Sequence, residues 1–138
     1  MDRVLDVMVE AARAAGDVAL KYFRRGVEVT LKPDRSPVTR ADQEAEQVIV
    51  EILGRAFPER GFLGDELGAR GSKEVRWIVD PIDGTRNFVR GIPIWAVLIA
   101  LEERGAITAG VILNPVSGEL WTARQGGGAF LGGERLRV

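Results

Sequence analysis

The first half of the chain alternates between two hydrophobic periods. From Asp2 to Arg25 the apolar positions Val4, Met8, Ala11, Ala12, Ala15, Val18, Ala19, Tyr22 and Phe23 keep the three-four spacing of one buried helical face. Gly26 supplies a C-terminal stop, and Arg24 and Arg25 suit the negative end of the helix dipole. Val27 to Lys32 then alternates strictly, as a half-buried strand does, and Pro33 to Pro37 has the composition of a loop. Thr39-Arg40-Ala41-Asp42 has the spacing of a capping box. It opens a second helical stripe through Ala41, Ala45, Val48, Ile49, Ile52, Leu53 and Ala56, which Pro58 ends.

Beyond Pro58 the period shortens. Phe62-Leu63-Gly64 is a short strand running into Asp65 and Glu66, and Ala69 to Lys73 is a polar, glycine-bearing segment expected to be a mobile loop. Trp77-Ile78-Val79 is an apolar strand that stops at Asp80 and turns through Pro81. From Ile92 onward every segment reads as strand, with turns at Glu103-Arg104-Gly105, Pro115 to Gly118 and the Gly126 to Gly128 cluster. Successive hairpins preceded by two helices predict an α+β fold: two helices packed on one face of an antiparallel sheet of about six strands.

At 138 residues the chain is expected to form one domain with a substantial core. A net charge of −1 creates no long-range field, which argues against nucleic acid or an acidic membrane surface as partner. No apolar run is long enough to span a bilayer, and Asp2, Asp6 and Glu10 do not suit a signal peptide, so cytoplasmic placement is expected. The chain has no cysteine and no histidine. Thiolate nucleophiles, zinc–sulfur sites and imidazole bases are therefore excluded. Any metal site must be built from oxygens, which suits magnesium, manganese or calcium.

That restriction directs attention to Asp80-Pro81-Ile82-Asp83-Gly84-Thr85. Two carboxylates on one tight turn repel each other unless a cation lies between them, and Gly84 allows close approach to the backbone. The same residues also read as an aspartate-capped turn. Asp42 can be a capping acid, a site residue or both, and Asp65–Glu66 can be a polar loop after an edge strand. The glycine cluster fails the dinucleotide fingerprint at Leu131 and reads as a hairpin. An EF-hand is rejected because Gly91 stands where its bidentate glutamate belongs. Trp77, Trp95 and Trp121 are expected in core and sheet packing, since no basic stripe accompanies them.

Taken together, Lys32, Ser36-Pro37-Val38-Thr39-x-Ala41-Asp42, Gly64-Asp65-Glu66, Trp77-Ile78-Val79-Asp80-Pro81-Ile82-Asp83-Gly84-Thr85-x-Asn87-Phe88 and the later Gly126-x-Gly128-Ala129-Phe130 resemble the inositol monophosphatase family of magnesium-dependent phosphomonoesterases. Asn87 to Trp95 looks closest to its histidinol-phosphate phosphatase branch. The resemblance implies that residues 1–138 form the N-terminal, metal-binding half of that fold, with the C-terminal domain absent. It implies hydrolysis of a small phosphomonoester, such as an inositol-1-phosphate-like polyol phosphate, by a metal-activated water. Asp65, Asp80, the Ile82 carbonyl and Asp83 would bind two or more magnesium ions, with manganese able to substitute. Asp83, Gly84 and Thr85 would bind substrate, the Gly84 and Thr85 amides holding its phosphate; Asp42 would accept a hydrogen bond from Thr85, and this catalytic pair would orient a metal-bound water for in-line attack on phosphorus. Two departures accompany these expectations. Family members have glutamate at the position of Asp65, so Glu66 can compete as ligand, and they are about twice as long. Apolar sheet left uncovered by the shorter chain favours a homo-oligomer, a dimer, or pairing with a complementing chain.

Overall fold

The computed structural model describes residues 2–25, 29–32 and 37–138. Gly26, Val27, Glu28 and Pro33 to Ser36, on which a helix stop, a strand start and a loop are expected, lie outside the described residues. Helix α1 (Arg3–Tyr22) is capped by the Asp2 carboxylate, which accepts hydrogen bonds from Val4 N at 3.0 Å and Leu5 N at 3.3 Å. It ends at Phe23, one turn before the glycine that the sequence offers as a stop. Arg24 adopts a left-handed φ of 62°, its guanidinium lies over the Phe23 ring, and its Nε donates to Gly91 O at 3.1 Å.

Strands β1 (Val29–Leu31) and β2 (Pro37–Thr39) pair antiparallel as a separate two-stranded sheet. Helix α2 (Arg40–Ala56) follows, with the expected capping box: Thr39 Oγ1 accepts from Asp42 N, and the Asp42 carboxylate accepts from Thr39 N at 2.9 Å.

The remaining strands form one sheet: β3 (Gly61–Gly64), β4 (Gly68–Arg70), β5 (Val75–Asp83), β6 (Ala96–Glu103), β7 (Ala106–Leu113), β8 (Leu120–Arg124), β9 (Gly128–Leu131) and β10 (Glu134–Arg135). A short helix, α3 (Thr85–Val89), lies between β5 and β6. The order is β10-β9-β8-β7-β6-β5-β3-β4, antiparallel throughout except that β3 runs parallel to β5. The α+β class holds, but eight strands replace about six and the sheet is mixed. The mixed pairing and one of the added strands arise at β4, read from sequence as a mobile loop: an exposed edge strand of three residues shows no apolar alternation. By folding back along β3, it returns the chain to the starting edge and makes the parallel pairing possible. The β6–β7 turn matches expectation, with Arg104 and Gly105 both at positive φ (51° and 84°) as a two-residue type I′ turn requires.

Both long helices cover one face. Met8, Ala15, Ile49, Leu53, Trp77 and Leu101 are fully buried between them and the sheet. A second cluster, Phe23, Ile82, Phe88 and Trp95, lies under the turn that follows β5, and Phe88 meets Trp95 edge-on at 4.9 Å. No helix covers the opposite face among the described residues. Leu63, Ile78, Leu98 and Ile112 line a groove of about 590 Å³ there that reaches Asp65 and Asp80. It continues into a groove of about 450 Å³ beside Trp121, Phe130 and Leu136. Of the three tryptophans expected in core and sheet packing, Trp77 and Trp95 lie in the core, while Trp121 packs on the sheet's uncovered face, where its register opposite Ile112 directs it. No helix among the described residues is long and apolar enough to cross a membrane.

Candidate active site

The site begins where β5 leaves its ladder. Trp77 and Val79 face the helices, so alternation sends Ile78 and Asp80 to the open face. The β5–β6 register then shifts between Asp80, opposite Leu98, and Asp83, opposite Ala96. Pro81, which has no N–H to give a ladder, occupies this irregularity. Ile82 is buried with Phe88 and Trp95, pinning the turn from below. Gly84 has a φ of 93°, and a Cβ there would stand 3.2 Å from Ile94 O, so this position needs glycine for its conformation and its space.

Asp80 is the most stressed group at this turn. Its Oδ1 is buried and has no hydrogen-bond partner among the described residues. Burial, then the charges of Asp65 and Asp83, push its carboxyl up to about 7, against a hydrogen bond from the Ile82 amide. Asp42, at the start of α2, is 1% exposed. Its carboxylate accepts from Thr39 Oγ1 at 2.6 Å and Thr85 Oγ1 at 3.0 Å, and burial outweighs those bonds in raising its pKa. Thr85 Oγ1 also lies 3.1 Å from Ile82 O. With a single proton, the hydroxyl divides its donation between Asp42 and that carbonyl.

The second acidic segment ends β3. Asp65 N donates to Val79 O at 3.0 Å, which sets Asp65 beside the end of β5. Lys32 Nζ pairs with Asp65 at 3.0 Å and with Glu66 at 3.1 Å. Glu66 is the more enclosed of the two acids, with 5% side-chain exposure against 49% for Asp65. Burial pushes its carboxyl up to about 7 despite the lysine. Asp83 is exposed at the rim. The structure thus joins Asp42 to Thr85 and sets Asp65 near Asp80, while Asp65 turns toward Lys32. One buried acid that sequence reading passed over also reaches this segment: Glu46 accepts from Glu66 N at 2.9 Å and Leu67 N at 2.6 Å. Its spacing of four from Asp42, within the apolar stripe, was the available signal.

No three acidic side chains among the described residues stand close enough to cage an ion as they are placed. The donor set nevertheless suits a hard divalent cation. It consists of oxygens alone, one buried carboxylate oxygen lacks a partner among the described residues, and neighbouring like charges oppose ionisation of the same group. A cation there would relieve both the missing partner and the repulsion.

The inositol monophosphatase family profile matches residues 1–138. An inositol-1-monophosphatase of Mesorhizobium japonicum is 48% identical over 98% of this chain and 52% of its own length. A histidinol-phosphatase of Chlorobaculum parvum is 45% identical over 97% of this chain and 52% of its own. The crystal structure of the extragenic suppressor protein suhB from Bartonella henselae superposes with a TM-score of 0.94 at 45% identity, covering 99% of this chain and 55% of that one. The chain therefore spans about half the length of the curated relatives it matches.

Proposed function

Because the chain belongs to the inositol monophosphatase family, we propose that it carries the metal-binding half of a magnesium-dependent phosphatase acting on a small phosphomonoester of the inositol-1-phosphate type. The observation that carries this reading is the buried Oδ1 of Asp80, unpartnered among the described residues, on the turn that also carries Thr85 and its hydrogen bond to Asp42. Asp65, Asp80, Asp83 and the Ile82 carbonyl would hold two or more magnesium ions. Magnesium bound there supplies Lewis acidity, screening the phosphate charge and lowering the pKa of a water.

This chain's own groups do the rest. With its proton committed to Asp42 or to Ile82 O, Thr85 Oγ1 presents a lone pair that accepts a hydrogen bond from a water and fixes its orientation toward phosphorus. Asp42, held by Thr39, keeps that hydroxyl from rotating away. The Gly84 and Thr85 amides at the start of α3 have no intrahelical acceptor and would bind phosphate oxygens, with Asp83 at the rim contacting substrate.

The test is phosphate release from a panel containing inositol-1-phosphate and histidinol phosphate, with magnesium, comparing the chain with Asp83→Asn. Equal background from both proteins would refute catalysis by this chain. Preference for histidinol phosphate is the second reading, favoured by the 45% identical relative of that name. The uncovered sheet face beside the site favours a third, a module that self-associates or pairs with a complementing second half. Light scattering separates the two partner arrangements, because a monomer at high concentration argues against self-association.

A further inference from the structure

We propose that Glu46 is a positioning residue of this site, fixing the turn that carries Asp65 and Glu66 against the end of β5. The assignment rests on the metal-site reading above. Glu46 is 0% exposed on α2 and makes no ion pair among the described residues. Its two oxygens are divided between consecutive backbone donors, Glu66 N through Oε1 and Leu67 N through Oε2. A buried carboxylate held by two peptide N–H groups constrains the direction of the turn as well as its distance. From the sheet side, the Asp65 N to Val79 O bond holds the same turn. Gly64 completes the fit, since a Cβ added there would collide with the Glu46 carboxylate.

Glu46 and Asp42 lie four residues apart, so one face of α2 presents both carboxylates about 6 Å apart along its axis. Asp42 anchors Thr85, and Glu46 anchors the Asp65–Glu66 turn. The helix thereby sets the spacing between the two acidic segments. Glutamine at this position retains one acceptor but opposes an amide N–H2 to a backbone N–H. Metal affinity should therefore fall although no proposed ligand has changed.

The test is calorimetric titration with Mn2+ of the unaltered chain, Glu46→Gln and Ile49→Val, a core control on the same helix, together with amide hydrogen exchange. Loss of such a supporting contact should weaken Mn2+ binding about tenfold to a hundredfold in Glu46→Gln and leave Ile49→Val unchanged. The Glu66 and Leu67 amides should be protected in the unaltered chain and exchange at least about tenfold faster in Glu46→Gln, with the β6–β7 ladder unaffected. Should Glu46→Gln not fold, Gly64→Ala, which displaces the carboxylate without removing it, should show the same loss. Mn2+ affinity retained in the variants, or open-turn exchange at Glu66 and Leu67 in the unaltered chain, overturns the assignment of Glu46 alone. Absence of Mn2+ binding by the unaltered chain overturns the metal reading and this assignment with it.

Discussion

Replacing Asp80 by asparagine should stabilise the metal-free protein and abolish its response to magnesium. The group rises from 3.8 to about 7, chiefly through burial. At about 1.4 kcal/mol for each tenfold change, ionising it in the folded protein is unfavourable by at most about 4 kcal/mol, and solvent screening reduces this to about 1–3 kcal/mol. The folded state holds this proton more tightly than the unfolded chain. The stability it contributes is therefore complete below about pH 4 and lost as pH rises through about 7. Asp80→Asn removes that loss, so its advantage should be absent near pH 4 and full above pH 7, where it is worth about 3–10 °C in melting temperature. A residual slope of the same sign should remain, because Glu66 is also pushed up to about 7. Urea and thermal unfolding from pH 4 to 8, with and without magnesium, provide the assay. Magnesium at a hundredfold its dissociation constant should stabilise the unaltered chain by about 2.7 kcal/mol and Asp80→Asn not at all. Equal stability of the two proteins at pH 8, or equal stabilisation by magnesium, would refute the reasoning.

Thr85→Val should fold and bind metal but release phosphate at least about a hundredfold more slowly, since only the water-orienting hydroxyl is lost; steady-state kinetics checks this. Asp42→Asn should lower stability by about 2–3 kcal/mol in urea unfolding, because the amide cannot accept all the hydrogen bonds the carboxylate takes from Thr39 and Thr85. Leu101→Ala, in the fully buried layer under the helices, should lose about 3 kcal/mol and leave metal affinity intact. Ile112→Glu on the uncovered face should change stability by no more than about 0.5 kcal/mol, yet reduce any mass above monomer seen by light scattering.

Strong local periodicity made the helices legible. The stripe from Ala41 to Ala56 and the Thr39–Asp42 box appear as α2 with its cap, and Asp80 to Thr85 stands out because a buried strand rarely ends on two acids without a reason. The missed features are set by tertiary contacts. β4 has neither length nor alternation, so nothing in its sequence separates it from a loop, and without it the parallel β3–β5 pairing cannot be inferred. Glu46 reads as one more charge on a helix until the turn beyond Gly64 is seen against it. Lys32 falls at the end of a short strand, and only the fold brings it to Asp65 and Glu66. Trp121 shows the converse limit: alternation assigns it a side of the sheet but not what covers that side.

The parallel pairing of β3 with β5 has a consequence for how this region tolerates change. Neighbouring antiparallel strands finish at opposite ends of the ladder, whereas β3 and β5 deliver Asp65 and Asp80 to the same end. The separation of the two acids is therefore a property of ladder register, independent of the length of chain that joins them. Strand β4 is the return path, residues 71–74 link it to β5, and doubling a loop costs only about 0.6 kcal/mol. A peptide tag or reporter inserted between Arg70 and Glu74, at the end of the ladder away from Asp65 and Asp80, should leave the acids in register, which makes this link a natural place to attach a probe without disturbing them.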